Sequence, residues 1–154
     1  MTNNDIMRSI RYTFDIPDVQ MVAIFALADL AVTREQVADW LKKEDEPGYQ
    51  QCPDPQMAMF LNGLINYRRG KKEGVQPAPE QRLTNNIIFR KLKIALNLQA
   101  EEILEIMALA ELSMSKHELS AFFRKPDHKH YRDCKNQVLR NFLKGLQLKY
   151  RAKA

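Results

Sequence analysis

Sliding the chain along itself so that Thr2 meets Thr84 lays its second half on its first without a gap, and this duplication constrains the fold more than any other feature. Thr2-Asn3-Asn4 falls on Thr84-Asn85-Asn86, Ile6 and Arg8 on Ile88 and Arg90, and Ala26-Leu27-Ala28 on Ala108-Leu109-Ala110, with Leu30 on Leu112. Asp45, Tyr49 and Cys52 fall on Asp127, Tyr131 and Cys134, and Trp40-Leu41 on Phe122-Phe123. Phe60-Leu61-x-Gly63-Leu64 falls on Phe142-Leu143-x-Gly145-Leu146. Whatever residues 1–70 fold into, residues 84–154 fold into as well. The stretch 71–83 between them is read as a linker, because Gly70 to Arg82 holds two Gly, two Pro and five charges.

Each copy reads as four helices, which makes the chain all-α. The first helix is expected to start at an asparagine cap, Asn3 or Asn4 and Asn85 or Asn86. It should bury Ile6, Ile10 and Phe14, or Ile88, Leu92 and Leu96, spaced by four on one stripe. The second follows Pro17-Asp18 and is apolar nearly all round to Leu30, the pattern of a helix at a bundle centre. The third opens on a capping box, Thr33-x-x-Gln36 or Ser115-x-x-Glu118. It buries Val37, Trp40 and Leu41, or Leu119, Phe122 and Phe123. The fourth begins at Asp54-Pro55 and carries Met57, Phe60, Leu61 and Leu64, or Leu139, Phe142, Leu143 and Leu146, at i, i+3, i+4, i+7. Gly63 and Gly145 sit inside that helix at a cost of up to ~1 kcal/mol relative to Ala, which close helix–helix approach would recover. A module of ~70 residues is near the lower size for independent stability, so the halves are expected to pack through a pseudo-twofold interface.

The longest apolar run, Met21 to Ala28, is far short of the ~20 residues that span a bilayer, and the Met-Thr-Asn-Asn-Asp start has no secretory character. Two cysteines and seven methionines fit a reducing compartment, so a cytoplasmic protein with no membrane role is expected. No Gly-rich phosphate loop, nucleophile elbow or convergent acid–base pair is present, so no catalytic residue and no cofactor are predicted. The net charge of +5 is uneven: nine Lys/Arg against eleven Asp/Glu (−2) over residues 1–75, and fifteen against eight (+7) over 76–154. A basic half suggests an anionic partner; a solvated basic surface accounts for it equally.

Four features are candidates for function. The second and third helices, joined near Ala31-Val32, have the spacing of a helix-turn-helix. The outward face of that unit carries Glu35 and Asp39 beside Arg34 and Lys42 in the first copy, and Lys116, His117, Ser120 and Arg124 in the second. Any helical bundle contains such hairpins, and the turn lacks Gly. Secondly, Arg140, Lys144 and Arg151 lie on one face of the last helix with Lys149 and Lys153 beside them, while Lys125, Lys129, Arg132 and Lys135 cluster in the loop before it. Such cations could hold nucleic acid without reading sequence, but aromatic interleaving is thin, with only Tyr131 and Tyr150 able to stack on bases, and a solvated amphipathic helix explains the stripe equally well. Thirdly, both copies repeat Lys-x-Asp-x-x-x-Tyr-x-x-Cys, which brings forward Asp45, Tyr49 and Cys52 with Asp127, Tyr131 and Cys134. Matching polar residues in a loop hint at a shared binding role, whereas Asp fastening a turn and Tyr plugging a bundle end is the structural account. Fourthly, His128, His130 and Cys134 beside Asp133 are ligand types, but the first copy has Glu46, Gly48 and Cys52 there, so no metal site is predicted. Each Cys precedes a helix start, which could activate a thiol; a small buried hydrophobe is the other reading.

With the duplication in hand, the sequence resembles the YehS family of bacterial proteins, a duplicated domain of unknown function. The resemblance is carried by Asn4-Asp-Ile6-x-Arg8-Ser-Ile-Arg-Tyr12, Trp40-Leu-x-Lys-Glu-Asp45, Cys52-Pro-Asp54, Phe60-Leu-Asn-Gly-Leu-Ile65 and Arg69-Gly-Lys71. In the second copy it runs through Asn86-Ile-Ile, Lys91-Leu-x-Ile-Ala95, Pro126-Asp-His-Lys129 and Phe142-Leu-x-Gly-Leu146. It implies a cytoplasmic bacterial protein and supplies no ligand or activity. The expectation from the residues is therefore a non-catalytic binding protein whose basic second module contacts DNA or RNA. The alternative is a protein-interaction adaptor with a protein partner and no nucleic-acid role. No oligomeric state is predicted.

Overall fold

The computed structural model describes residues 1–151; residues 152–154, and with them Lys153, lie outside the described residues. The described residues form eight helices and no strand, in two compact units, Met1–Leu83 and from Thr84 onward. The first unit holds α1 (Asn3–Phe14), α2 (Asp18–Leu27), α3 (Arg34–Leu41) and α4 (Asp54–Arg69). The second holds α5 (Asn85–Ala95), α6 (Ala100–Leu109), α7 (Lys116–Ala121) and α8 (Asn136–Tyr150). None of these helices is long and apolar enough to cross a membrane.

The caps of α1 and α5 differ from expectation. Thr2 and Thr84 cap them, their hydroxyls accepting the N–H of Asp5 (3.1 Å) and Ile87 (3.2 Å). The asparagines that follow are already helical, and Asn4 and Asn86 are buried. An inward-facing amide in the first turn cannot reach its own helix's free N–H groups, so the threonine takes that role. Ser115 and Glu118 form the expected reciprocal box at α7.

α1 and α5 end, like α2 and α6, on a left-handed residue: Asp15, Asn97, Asp29 and Glu111, with φ of 52°, 52°, 63° and 62°. The next residue donates back across the turn in each case, as in Ile16 N–H to Arg11 O (3.0 Å) and Leu112 N–H to Met107 O (3.0 Å). Asp and Asn tolerate this conformation; Glu does not gain from it. Glu111→Gly is therefore expected to stabilise the chain by about 0.5–1 kcal/mol, read as a higher urea midpoint. An unchanged or lower midpoint would count against that account.

α2 packs mainly on α4, and α6 on α8. Although α2 is apolar nearly all round, only the side carrying Met21, Ile24 and Phe25 is buried; Val19, Ala23 and Ala26 face solvent. Small exposed alanines cost little, so an apolar circumference did not require a central helix. The first core joins Ile6, Met7 and Ile10 to these residues, to Val37 and Trp40, and to Met57, Phe60, Leu61 and Leu64. Phe14 and Leu41, expected in it, are half-buried. Phe25 is its aromatic hub, 5.5 Å from Trp40 and 5.4 Å from Phe60 between ring centroids. In the second unit the hub is Phe89, 6.2 Å from Phe122 and 4.6 Å from Phe142. Phe25 and Met7 correspond to Met107 and Phe89, so a Phe and a Met have exchanged places between the first two helices of the module. Such a swap keeps the summed core volume.

Gly63 and Gly145 mark the closest helix contacts. A Cβ on either would collide with the carbonyl oxygen of Ile24 or Ile106, on the facing helix. The glycines therefore let α4 and α8 lie directly on the backbones of α2 and α6.

Candidate functional site

The repeated loop between the third and fourth helices is held from α1 or α5 by asparagine side chains. Asn86 Nδ2 donates to the carbonyls of Phe122 (3.0 Å) and Arg132 (2.8 Å), and its Oδ1 accepts the Cys134 N–H (2.9 Å). Asn4 does the same with Trp40 (2.8 Å), Gln50 (2.8 Å) and Cys52 (3.0 Å). Asn85 adds the Cys134 carbonyl (2.9 Å) and the Asn136 side chain (2.7 Å), and Asn3 adds the Cys52 carbonyl (3.0 Å) and the Asp54 carboxylate (2.7 Å). A primary amide has two donors and an acceptor on one rigid plane, which suits two carbonyls and one N–H presented by a bent chain. Every matched position of the Thr-Asn-Asn run thus has a structural use.

The repeated loop residues divide in the same light. Cys52 and Cys134 are buried at 1% and 4% exposure, and burial pushes both thiols up to about 12, the Asp54 carboxylate adding to the effect at Cys52. Thiols held protonated are poor nucleophiles. Asp45 and Asp127 are exposed at the loop's first turn. Tyr49 and Tyr131 are half-buried, and Tyr131 titrates above the usual phenol range because of burial and the hydrogen bond to Asp133.

Tyr131 lines a cleft of about 910 Å³ bounded by the α6–α7 turn, α7, the loop and the start of α8. Its apolar members are Leu112, Met114, Phe122 and Val138, and its cations are Lys129, Arg132 and Lys135. Arg132 is fixed at its backbone, the N–H donating to Ala121 O (3.2 Å) and the carbonyl accepting from Asn86. Two carboxylates share the cleft, Glu118 and Asp133. The Ser115 N–H donates to Glu118 (3.0 Å) and keeps it below the usual carboxylate range. His117 and His130 also line the cleft, their rings 6.4 Å apart, with His128 5.5 Å from His130.

The corresponding cleft of the first unit has about 320 Å³ and is lined by Glu35, Gln36, Asp39, Trp40 and Gln50 among others. There Lys42 Nζ bonds Asp39 (2.8 Å) and lies 2.5 Å from where a Cβ on Gly48 would stand, so that pair fills the corner. In the second unit Ala121 replaces Asp39, which removes the bridge and leaves the space open. Glu35, Gln50 and Pro53 become His117, Arg132 and Lys135, so one place in the module is acidic in one copy and basic in the other.

The remaining cations are elsewhere. Lys116 is bound to Glu101 (2.7 Å). Arg124 is half-buried after α7, and Lys125 is exposed at the loop's first turn. Val138 faces the cleft, and a helical rotation of roughly 200° carries Arg140, and with it Lys144 and Arg151, to another side of α8. The hairpin expected to read a groove has six residues, 110–115, between its helices, and α7 itself has six. Among the described residues no three His, Cys, Asp or Glu side chains are placed to hold a metal ion. Sequence reading placed His117 on the hairpin's outward face and missed the apolar lining of the cleft; the signal available was that these positions differ between otherwise matched copies.

A family described as proteins of unknown function (DUF1456) matches residues 3–70 and again 85–152. An uncharacterized protein, YehS, of Escherichia coli (strain K12) is 46% identical over 155 residues, covering 99% of each chain. No solved structure matches. Two family matches, one on each copy of the module, show that the chain belongs to the DUF1456 family of proteins of unknown function, and it is similar over its full length to YehS.

Proposed function

We propose that this chain is a non-catalytic binding protein whose second unit holds nucleic acid at the cleft between α7 and the start of α8. One observation carries the reading: the cleft that is small and acidic in the first copy is large and cationic in the second, on a shared scaffold. Lys129, Arg132 and Lys135 supply phosphate contacts and outnumber the Glu118 and Asp133 carboxylates beside them. Arg140, Lys144 and Arg151 give a second, weaker positive surface that adds affinity without selectivity.

Fluorescence anisotropy with labelled oligonucleotides at low salt tests this. Binding should weaken as salt rises, with a log–log slope of about −2 for three phosphates on a single strand. Reversing charge at Lys129, Arg132 and Lys135 together should cost at least about tenfold in affinity at low salt. No binding to DNA or RNA, or binding indifferent to salt, sinks the proposal.

A further inference from the structure

Resting on that reading, we infer that the cleft takes nucleic acid as a single strand, with one unpaired base lodged against Tyr131 and its flanking phosphates on Lys129, Arg132 and Lys135. A site that met only phosphates would need no apolar lining. Here the cations rim a concavity with an apolar lining, where Met114 and Val138 are half-buried around Phe122. Half-exposed apolar side chains beside cations match a nucleotide, which has an apolar face and an anionic edge.

Duplex geometry fits poorly for two reasons. Paired bases are stacked on one another and present edges, not faces, to a cleft. The helix of the expected groove-reading hairpin, α7, is about 9 Å long, and the Lys116 at its start is bound to Glu101. Tyr131 is well placed for the stacking role. The Tyr131 N–H donates to His128 O (3.0 Å), and the neighbouring Arg132 backbone is pinned to both Ala121 and Asn86, so the backbone that carries the ring is set before a ligand arrives.

The experiment compares three labelled probes of equal length on the full chain: oligothymidylate, an abasic strand with the same phosphates, and a duplex. Oligothymidylate should bind on the order of tenfold more tightly than the abasic strand, the effect of one stacked base. Tyr131→Ala should abolish that difference while leaving abasic and duplex affinities unchanged, and Tyr131→Phe should retain it. Equal binding of the thymidylate and abasic strands overturns the base seat while leaving the proposed function standing. So does a Tyr131→Ala variant that weakens all three probes alike. Failure of every probe to bind removes the nucleic-acid reading itself, and this inference with it. The strand comparison needs no variant, so it decides the matter even if Tyr131→Ala does not fold.

Discussion

Asn4→Ala should destabilise the first unit by roughly 3–5 kcal/mol, because it strands three backbone groups at once. The Trp40 and Gln50 carbonyls and the Cys52 N–H lose their partner, at a side chain that is only 1% exposed. Each unsatisfied buried polar group costs about 1–3 kcal/mol. Trp40 is the chain's sole tryptophan, and its own carbonyl is one of the three groups, so urea unfolding followed by its fluorescence reports on the site directly. Asn4→Asp separates lost hydrogen bonds from lost volume. A carboxylate accepts the Cys52 N–H but cannot donate to two carbonyls, so Asp should be no better tolerated than Ala. A loss below about 1 kcal/mol for either variant would mean that the loop is held by something other than this amide. Asn86→Ala should have the same effect on the second unit, read by circular dichroism. It should also weaken oligonucleotide binding, since the Arg132 carbonyl is released.

Gly145→Ala is expected to cost about 2–4 kcal/mol even though alanine is the better helix former by ~1 kcal/mol. The new methyl would occupy the position of the Ile106 carbonyl oxygen, and Ile106 Cγ2 lies 2.7 Å from the same point. A backbone carbonyl inside a helix cannot step aside as a flexible side chain can, so α6 and α8 must separate along the contact. Leu139, Phe142, Leu143 and Leu146 would then lose part of their packing. Gly63→Ala should behave alike against Ile24, with Trp40 fluorescence again as the probe. The check is the denaturation midpoint of each full-length variant. A change within about 0.5 kcal/mol, or a gain from helix propensity, would show that the helices can part at little cost.

These two sites differ in how legible they were in the sequence. A glycine inside a stripe of large apolar residues is a local anomaly, and its only physical remedy, close approach, follows from the helix pattern. Asparagine near a helix start has a common local use, as a cap, and that use hid the one it has here. The distinction depends on whether the amide turns outward to its own helix end or inward. Thr2 and Thr84, one residue earlier, were equally good caps, and only the packed structure shows which residue takes the position.

The candidate site was partly legible. Lys129, Arg132 and Lys135 were visible as a cluster because they are near in sequence. Arg140 and Lys144 were read as one helical face, but the same 3.6-residue period that aligns them with one another turns them away from Val138. His117 and Met114 could not be joined to Lys129 from sequence, since the path of the loop brings them together.

By itself the sequence determined the duplication, the all-helical class, the core stripes and the helix contacts at Gly63 and Gly145. All of these follow from periodicity and side-chain volume, which act within a few residues or along one helix. The tertiary structure decided what Asn4 and Asn86 bind, because their partners lie 36 to 48 residues further along the chain. It also decided that the exchanges of Glu35, Gln50 and Pro53 for His117, Arg132 and Lys135 meet in one cleft. Replacing Asp39 by Ala121 removes a salt bridge on paper; that it opens a cavity depends on what stood across from it.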